Sequence, residues 1–511
     1  MKAVTLFLLE LLLVVPMLGQ TVGVMVHDSM RTQPGYTLFT PTFNTTTFLI
    51  DNNGQLLHTW PSSYASALAT MLMNDGAILR AGKNLPTPNG AIGGGVVEII
   101  DWDGTVRWKF ERKASIGTRH HDLELMPNGN VLLTEFYVIS KDSARALGRI
   151  DTTTTRDTSF YLERLIEVRP IGKDSGEIVW QWNLVDHLIQ DVAPDKKNYG
   201  VIADHPELLD INGSRGYPDW LHVNSIRYNA ERDEVLLSVR NTCEIMVIQR
   251  STGRIVYRWG NPKVYGRGTT ADQKLFDQHD ARWIEAGVPG AGNITIFNNG
   301  VRRPNATYST LDEIVPPLDA SGNYTLAEGK AFGPDTLVWQ YKAPATDKYF
   351  SQVMGGWTRQ PNGNALSCLS DPGKFVEVTN EGTVVWMYTS PVGKDRIFTQ
   401  GQTPIGNPIF KINRYPAEHP AFIGKTLTPQ GTLESIALGI QDGSQGGKVS
   451  VSFVPGMQHA VVQCEHSTSI QLHGYDVLGR WLGVVYEGEI TSGRSEIAVP
   501  MGTMFVRKWE E

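Results

Sequence analysis

Val97-Glu98-Ile99-Ile100-Asp101-Trp102-Asp103-Gly104, followed at once by Val106-Arg107-Trp108-Lys109-Phe110, is one copy of a unit that recurs along the chain. An apolar run meets a turn closed by Gly, which supplies the positive φ a tight hairpin demands, and a second strand carries a Trp. The unit returns as Phe48-Leu49-Ile50-Asp51-Asn52-Asn53-Gly54 with Leu57-His58-Thr59-Trp60, and as Leu165-Ile166-Glu167-Val168 with Gly176-Glu177-Ile178-Val179-Trp180-Gln181-Trp182. Later copies are Ile245-Met246-Val247-Ile248 with Gly253-Arg254-Ile255-Val256-Tyr257-Arg258-Trp259, and Phe375-Val376-Glu377-Val378 with Gly382-Thr383-Val384-Val385-Trp386. Leu337-Val338-Trp339-Gln340-Tyr341 is a copy without a clear first strand. Between them lies a second turn-and-strand unit, such as Asn74-Asp75-Gly76-Ala77-Ile78-Leu79, Pro127-Asn128-Gly129-Asn130-Val131-Leu132-Leu133 and Pro361-Asn362-Gly363-Asn364-Ala365-Leu366. Alternating hairpins make four-stranded blades, and some six copies between about 45 and 415 predict an all-β, six-bladed propeller. The recurring Trp reads as packing between neighbouring blades.

Working outward, Met1-Lys2 and an apolar stretch through Leu18 read as a signal peptide over 1–19, with Glu10 an atypical residue within it. The propeller then spans 20–432. Residues 433–511 change character: Lys448-Val449-Ser450-Val451-Ser452-Phe453 and Ile470-Gln471-Leu472-His473-Gly474-Tyr475-Asp476 predict a small β-sandwich. The composition agrees, with 51 Gly and 28 Pro for turns and only 19% charged residues. A net charge of −7 without long basic runs excludes a nucleic-acid surface. No segment after the leader is long enough to span a membrane. Cys243, Cys368 and Cys464 are too few and too scattered for a disulfide framework and read as buried free thiols.

Aligned on the blade strands, His121-Asp122-Leu123, His222-Val223-Asn224 and His279-Asp280-Ala281 fall into one register. Inner strands line a propeller's channel, so three imidazoles from three blades converge near the axis. Arg240, after Val235-Leu236-Leu237-Ser238-Val239, and Asn299, after Ile294-Thr295-Ile296-Phe297-Asn298, end matching strands and join them. His120 replaces His121 as the inward residue if a bulge flips the pair. Three His can hold zinc, but Arg240 would repel a cation and welcome an oxyanion, so anion chemistry without a metal is the better reading. The catalytic candidates are therefore His279, His222, His121 and Arg240, with His120, Asn224 and Asn299 as substrate contacts. The remaining His, including His58, show no such register.

With these residues in place, the chain resembles the arylsulfate sulfotransferases, enzymes that use phenolic sulfate esters and need no nucleotide sulfate. The resemblance rests on Gly35-Tyr36-Thr37-Leu38-Phe39, His120-His121-Asp122, Asp219-Trp220-Leu221-His222-Val223-Asn224-Ser225-Ile226, Ser238-Val239-Arg240 and Gln278-His279-Asp280-Ala281, and runs from about 35 to 430. It implies a six-bladed propeller with its site in the central channel, His279 as nucleophile, and His121, His222 and Arg240 as supporting residues. It further implies an aryl sulfate donor, a phenolic acceptor, no cofactor and a ping-pong course through a sulfohistidine, while the signal peptide read at the N-terminus predicts a periplasmic or secreted protein. The N-terminal β-sandwich that the family uses to dimerise has no counterpart here, which leaves the oligomeric state open. Tyr475-Asp476-Val477-Leu478-Gly479-Arg480 and Met504-Phe505-Val506-Arg507 resemble C-terminal sorting domains of type IX secretion cargo. Two other readings compete: a non-catalytic secreted binding module, and a quinoprotein-like dehydrogenase, whose Trp-bearing blades look similar.

Overall fold

The computed structural model describes residues 20–84, 93–111, 118–150, 159–214, 219–394 and 396–436, and strands with short flanking stretches between 449 and 508. The leader expected over 1–19, the segment 476–480 and Met504 lie outside the described residues. Six antiparallel sheets follow one another in a ring. In blades 2 to 5 the chain runs from the channel outward, so the innermost strands are Ala65–Leu72, Thr118–Leu125, Val223–Asn229 and His279–Trp283. Blade 6 begins on Gly356–Arg359. Blade 1 takes its inner strand, Asn413–Tyr415, from the far end of the propeller, where Tyr36 pairs with Tyr415. Gly23–His27 closes the outer edge of blade 6 on Val384–Thr389. Both ends of the chain's propeller region thus stitch the ring shut.

Among the described residues an apolar cluster lies at the seam between each pair of successive blades, and the one between blades 2 and 3 also takes in Met354 and Phe410. One lies between blades 6 and 1, where Phe39, Phe48, Phe375 and Trp386 meet. The recurring aromatic residue adds a polar latch at every seam. His58, Trp108, Trp180, Tyr257, Trp339 and Trp386 hold matching positions on the outer strands and pair with Leu49, Ile99, Glu167, Val247, Glu313 and Glu377. The Trp indoles and the Tyr hydroxyl donate to a main-chain carbonyl of the next blade: Trp108 to Ser175, Trp180 to Arg250, Tyr257 to Gly333, Trp339 to Asn380 and Trp386 to Asn52. His58 does the same in blade 1, with Nε2 2.9 Å from the carbonyl of Trp102. The packing role read from the sequence therefore has a hydrogen-bonding partner.

Blade 5 explains the incomplete copy: its third strand, Thr310–Ile314, is separated from Trp339–Tyr341 by a long excursion that hides the hairpin from a sequence scan. Beyond the ring, two three-stranded sheets form, one from Val449–Phe453, His459–Cys464 and Gly493–Ala498, the other from Thr468–Tyr475, Trp481–Ile490 and Phe505–Lys508. Leu433 is buried with Phe39 and Tyr388, so packing on the propeller continues past 432. Cys243 and Cys368 are buried free thiols, and the Cys464 side chain lies outside the described residues. Among the described residues no helix is long and apolar enough to cross a membrane.

Candidate active site in the central channel

The inner strands enter the channel through bulges, which let consecutive side chains turn to the axis. The ladder slips between Arg119 and Leu123, between Val223 and Ser225, and between His279 and Arg282. His121 and His222 themselves take positive φ, at 50° and 58°. For residues other than Gly, Asn or Asp that conformation is uncommon and marks positions held by their surroundings. Asp122 accepts from the amide of Ile226, and Ser225 accepts from the amide of Ala281, so Asp122, Ser225 and Asp280 are equivalent places on successive blades. His121 and His279 each precede such a place. Asn224 holds that position in blade 4, and His222 reaches the cluster from two residues earlier, a shift the unequal bulges conceal in an ungapped alignment.

The bulge also settles which of the paired histidines faces inward. His120 stacks on Phe136 at 3.7 Å between ring centroids and puts Nε2 2.8 Å from Glu163 Oε2. His121 turns to the axis, with its ring 4.4 Å from that of His222 and its Nδ1 2.9 Å from Nδ1 of His120. Glu163 ties the two blades together, since Oε1 accepts from the amide of Val223 at 2.8 Å. His222 donates from Nδ1 to Asp219 Oδ2 at 2.5 Å. Burial alone would raise the Asp219 carboxyl, but His222, His120 and Arg240 hold it below its ordinary value. It is therefore a carboxylate facing an imidazole.

His279 is the most enclosed of the three. Its Nδ1 lies 2.8 Å from Asn299 Oδ1 and 3.1 Å from the carbonyl of Asp277, two acceptors that require the proton to sit on Nδ1. The Asn299 amide is oriented by donating to the carbonyls of Ser351 and Met354, at 2.9 and 2.8 Å. Nε2 consequently carries the lone pair, and it accepts from the Met354 amide at 3.2 Å. Burial, reinforced by Arg240, pushes the His279 pKa down to about 3. Burial and the neighbouring His222 and His120 likewise hold His121 well below the ordinary histidine value. Both rings are neutral at physiological pH.

Arg240 is three-quarters buried beside them, with Nη2 3.5 Å from Asp277 Oδ1. Its main-chain amide donates to the carbonyl of His222 at 3.2 Å. Arg302, half-exposed, clasps the same fully buried Asp277 through Nε at 2.7 Å. Asn224 is fully buried, donating from Nδ2 to the carbonyl of Gln278 at 2.8 Å, while its Oδ1 has no partner among the described residues. All seven sequence candidates thus lie in or directly behind one cluster. Asp219, Glu163, Asp277, Arg302 and the Met354 amide were not singled out. Asp219 stands three residues before His222 and was within reach; the others come from remote strands and loops with no local signal.

Below the cluster the channel is floored by charge. Asp122 pairs with Arg227 at 2.8 Å and Lys411 at 2.6 Å, and Asp280 pairs with Arg227 at 3.0 Å and Arg282 at 2.7 Å. Gly356 allows the approach: a Cβ there would stand 2.0 Å from Asp280 Oδ2. Among the described residues no group of three or more His, Cys, Asp or Glu is arranged to hold a metal ion.

The axis of the propeller thus gathers neutral imidazoles, an amide and a guanidinium. The family model described as arylsulfotransferase (ASST) matches residues 21–389, well over half of the 511 residues, and the chain belongs to that family. No curated protein matches the chain. Among solved structures, a protein of unknown function from Bacteroides caccae is 13% identical at a TM-score of 0.40, covering 75% of this chain and 98% of that one. Virginiamycin B lyase from Staphylococcus aureus is 12% identical at 0.35, covering 74% and 87%. The Cps50 (Swd1) β-propeller domain of Myceliophthora thermophila is 11% identical at 0.37, covering 72% and 90%. These distant likenesses say nothing of chemistry.

Proposed function

We propose that the chain moves a sulfuryl group from an aryl sulfate to a phenol by a ping-pong route through His279. The observation that carries the reading is the fixed tautomer of His279: Asn299 holds the proton on Nδ1, leaving a neutral nucleophilic Nε2 beside Arg240. Sulfuryl transfer, like phosphoryl transfer, spreads charge over three equatorial oxygens in a loose, in-line transition state, so positioning and electrostatics dominate. In the first half-reaction the Nε2 lone pair attacks sulfur and the S–O bond to the aryl oxygen breaks, its electron pair leaving with the phenolate. The Arg240 guanidinium and the Met354 amide, released from Nε2 as the N–S bond forms, hold the sulfuryl oxygens. His222, oriented by the Asp219 carboxylate, gives a proton to the leaving phenolate; His121, kept neutral, is the weaker acid candidate. In the second half-reaction the acceptor phenol returns a proton to His222 and attacks sulfur, and the N–S electron pair goes back to Nε2.

The apolar N-terminus supports export to the periplasm or exterior. The separate pairing of the two small C-terminal sheets supports a distinct unit after the propeller, in keeping with a sorting role.

Incubation with 4-nitrophenyl sulfate alone should leave the protein heavier by one sulfuryl group on His279, read by intact mass and peptide mapping at neutral pH. His279→Gln should show neither the mass gain nor nitrophenol release. Full turnover in that variant would end the mechanism, and labelling at another histidine would keep the reaction and move the nucleophile.

A further inference from the structure

The far end of the channel holds a cavity of about 440 Å³, within the roughly 300–1,000 Å³ of small-molecule pockets. The inner strands of blades 3 and 5 carry His121 and His279 at their first half and Leu123, Glu124 and Trp283 of the cavity wall at their last residues. The charged floor of Asp122, Arg227 and Lys411 lies between. The cavity is therefore separate from the site described above.

One side of its wall is apolar, with Met71, Leu72, Trp283 and Ile284. The other side carries two arginines that are each one acceptor short. Arg282 gives Nε to Asp280 and Nη1 to Asn413 Oδ1, both at 2.7 Å, and its Nη2 is buried with no acceptor among the described residues. Arg414 gives Nε to Thr37 Oγ1 at 3.2 Å and Nη1 to Glu377 and the Gln33 carbonyl, and its Nη2 is likewise buried with no acceptor. Asp280, Glu377 and Asn413 already hold these guanidinium groups through their other nitrogens. Buried donors are almost always satisfied; the Arg414 guanidinium lies over the Trp386 ring at 4.5 Å, whereas the Arg282 Nη2 has neither acceptor nor ring among the described residues, and an oxyanion would be its missing partner.

We propose that this cavity is a second, non-catalytic ligand site for a small organic anion, its sulfonate, sulfate or carboxylate head on Arg282 and its aromatic or apolar body against Trp283 and Ile284. The site stands whether or not His279 is the nucleophile, because its test reads binding rather than turnover.

The probe is benzenesulfonate, which has the head and the ring but no transferable group, titrated calorimetrically into the full chain. Arg282→Gln removes the cation, and Val288→Trp fills the rim of the cavity from a partly exposed turn while leaving every arginine in place. The expected result is a binding event that persists in Arg240→Gln and weakens at least tenfold in both Arg282→Gln and Val288→Trp. Retained affinity in Val288→Trp would overturn the proposal even if Arg282→Gln failed to fold. Absence of any binding outside the Arg240-dependent site would overturn it as well, as would equal affinity for the neutral benzenesulfonamide.

Discussion

The two ends of the channel are built by the same strands, yet they treat charge in opposite ways. At one end His121 and His279 are buried in the field of Arg240, and burial strips their charge. At the other, Asp122 and Asp280 are fully buried too, but Lys411, Arg227 and Arg282 outweigh the burial and keep them ionised. The difference lies in pairing, not depth. In the proposed mechanism the attacking Nε2 of His279 meets a single main-chain amide, that of Met354, whereas on the floor Asp122 and Asp280 are each tied to two cations. Of the three axial histidines His222 is the exception, hydrogen-bonded to the Asp219 carboxylate, as His120 behind them is to Glu163. In the proposed mechanism that exception separates the acid from the nucleophile among three chemically identical side chains.

Removing the exception should have the largest effect. His222→Gln is expected to lower kcat by about 10²–10⁴ with phenyl sulfate, whose phenolate leaves badly without a proton, and far less with 4-nitrophenyl sulfate. A plot of rate against leaving-group pKa for the two proteins decides the matter: parallel lines would make His222 a binding residue. Asp219→Asn should steepen the plot in the same sense.

The floor is next. Lys411→Met leaves Asp122 with Arg227 as its remaining cation and Asp280 with the two arginines, and removing one partner of a buried pair costs on the order of 3–5 kcal/mol. Urea unfolding should show the loss as a lowered midpoint with an unchanged slope. Lys411→Arg should recover part of it, whereas a stability equal to wild type would mean the floor is not held by pairing.

Protonation tests the upper end directly. A histidine held near 3 in the folded protein and 6.5 when unfolded contributes stability that is present above 6.5 and lost as pH falls below it. Between pH 7 and pH 5 the loss from His279 is about 2 kcal/mol. Burial pushes the Glu124 carboxyl up to about 7, which gains stability over the same interval, so the raw curve is a poor reporter. The difference between wild type and His279→Gln cancels Glu124. That difference should change by about 2 kcal/mol from pH 7 to pH 5, and a flat difference would mean that folding leaves His279 titrating as it does in the unfolded chain.

The same contrast explains what could be read before any coordinates. The hairpins were legible because each turn is written within a few residues, as in Asp101-Trp102-Asp103-Gly104, and His121, His222, His279 and Arg240 were legible because they recur with the blades. Closure was not, since Tyr36 meets Tyr415 across the whole ring. Glu163, Asp277 and Lys411 were hidden for a related reason: each acts on a blade other than its own or from a loop, and no spacing records that. The His120–His121 pair was open in sequence because a bulge decides it, and Phe136 and Glu163, which fix the bulge, lie on neighbouring strands.

The smallest expected effect concerns the seams that both ends share. The latch position is Trp in four blades, His in blade 1 and Tyr in blade 4, so the chemistry it requires is a flat ring with a donor at its far edge. Tyr257→Phe isolates the donor, because the ring stays stacked on Tyr324 at 4.7 Å and only the hydroxyl, 2.8 Å from the Gly333 carbonyl, is lost. A net hydrogen bond contributes about 0.5–1.5 kcal/mol, and the orphaned carbonyl sits where the long excursion of blade 5 begins its return. The variant should unfold at a urea midpoint lower by about 1 kcal/mol in free energy, with kcat for aryl sulfate unchanged, since the seam is remote from His279. A fall in kcat at unchanged stability would mean instead that the blade 4 to blade 5 seam positions His222 relative to His279, and that the two ends of the channel are set by the outer strands as well as the inner ones.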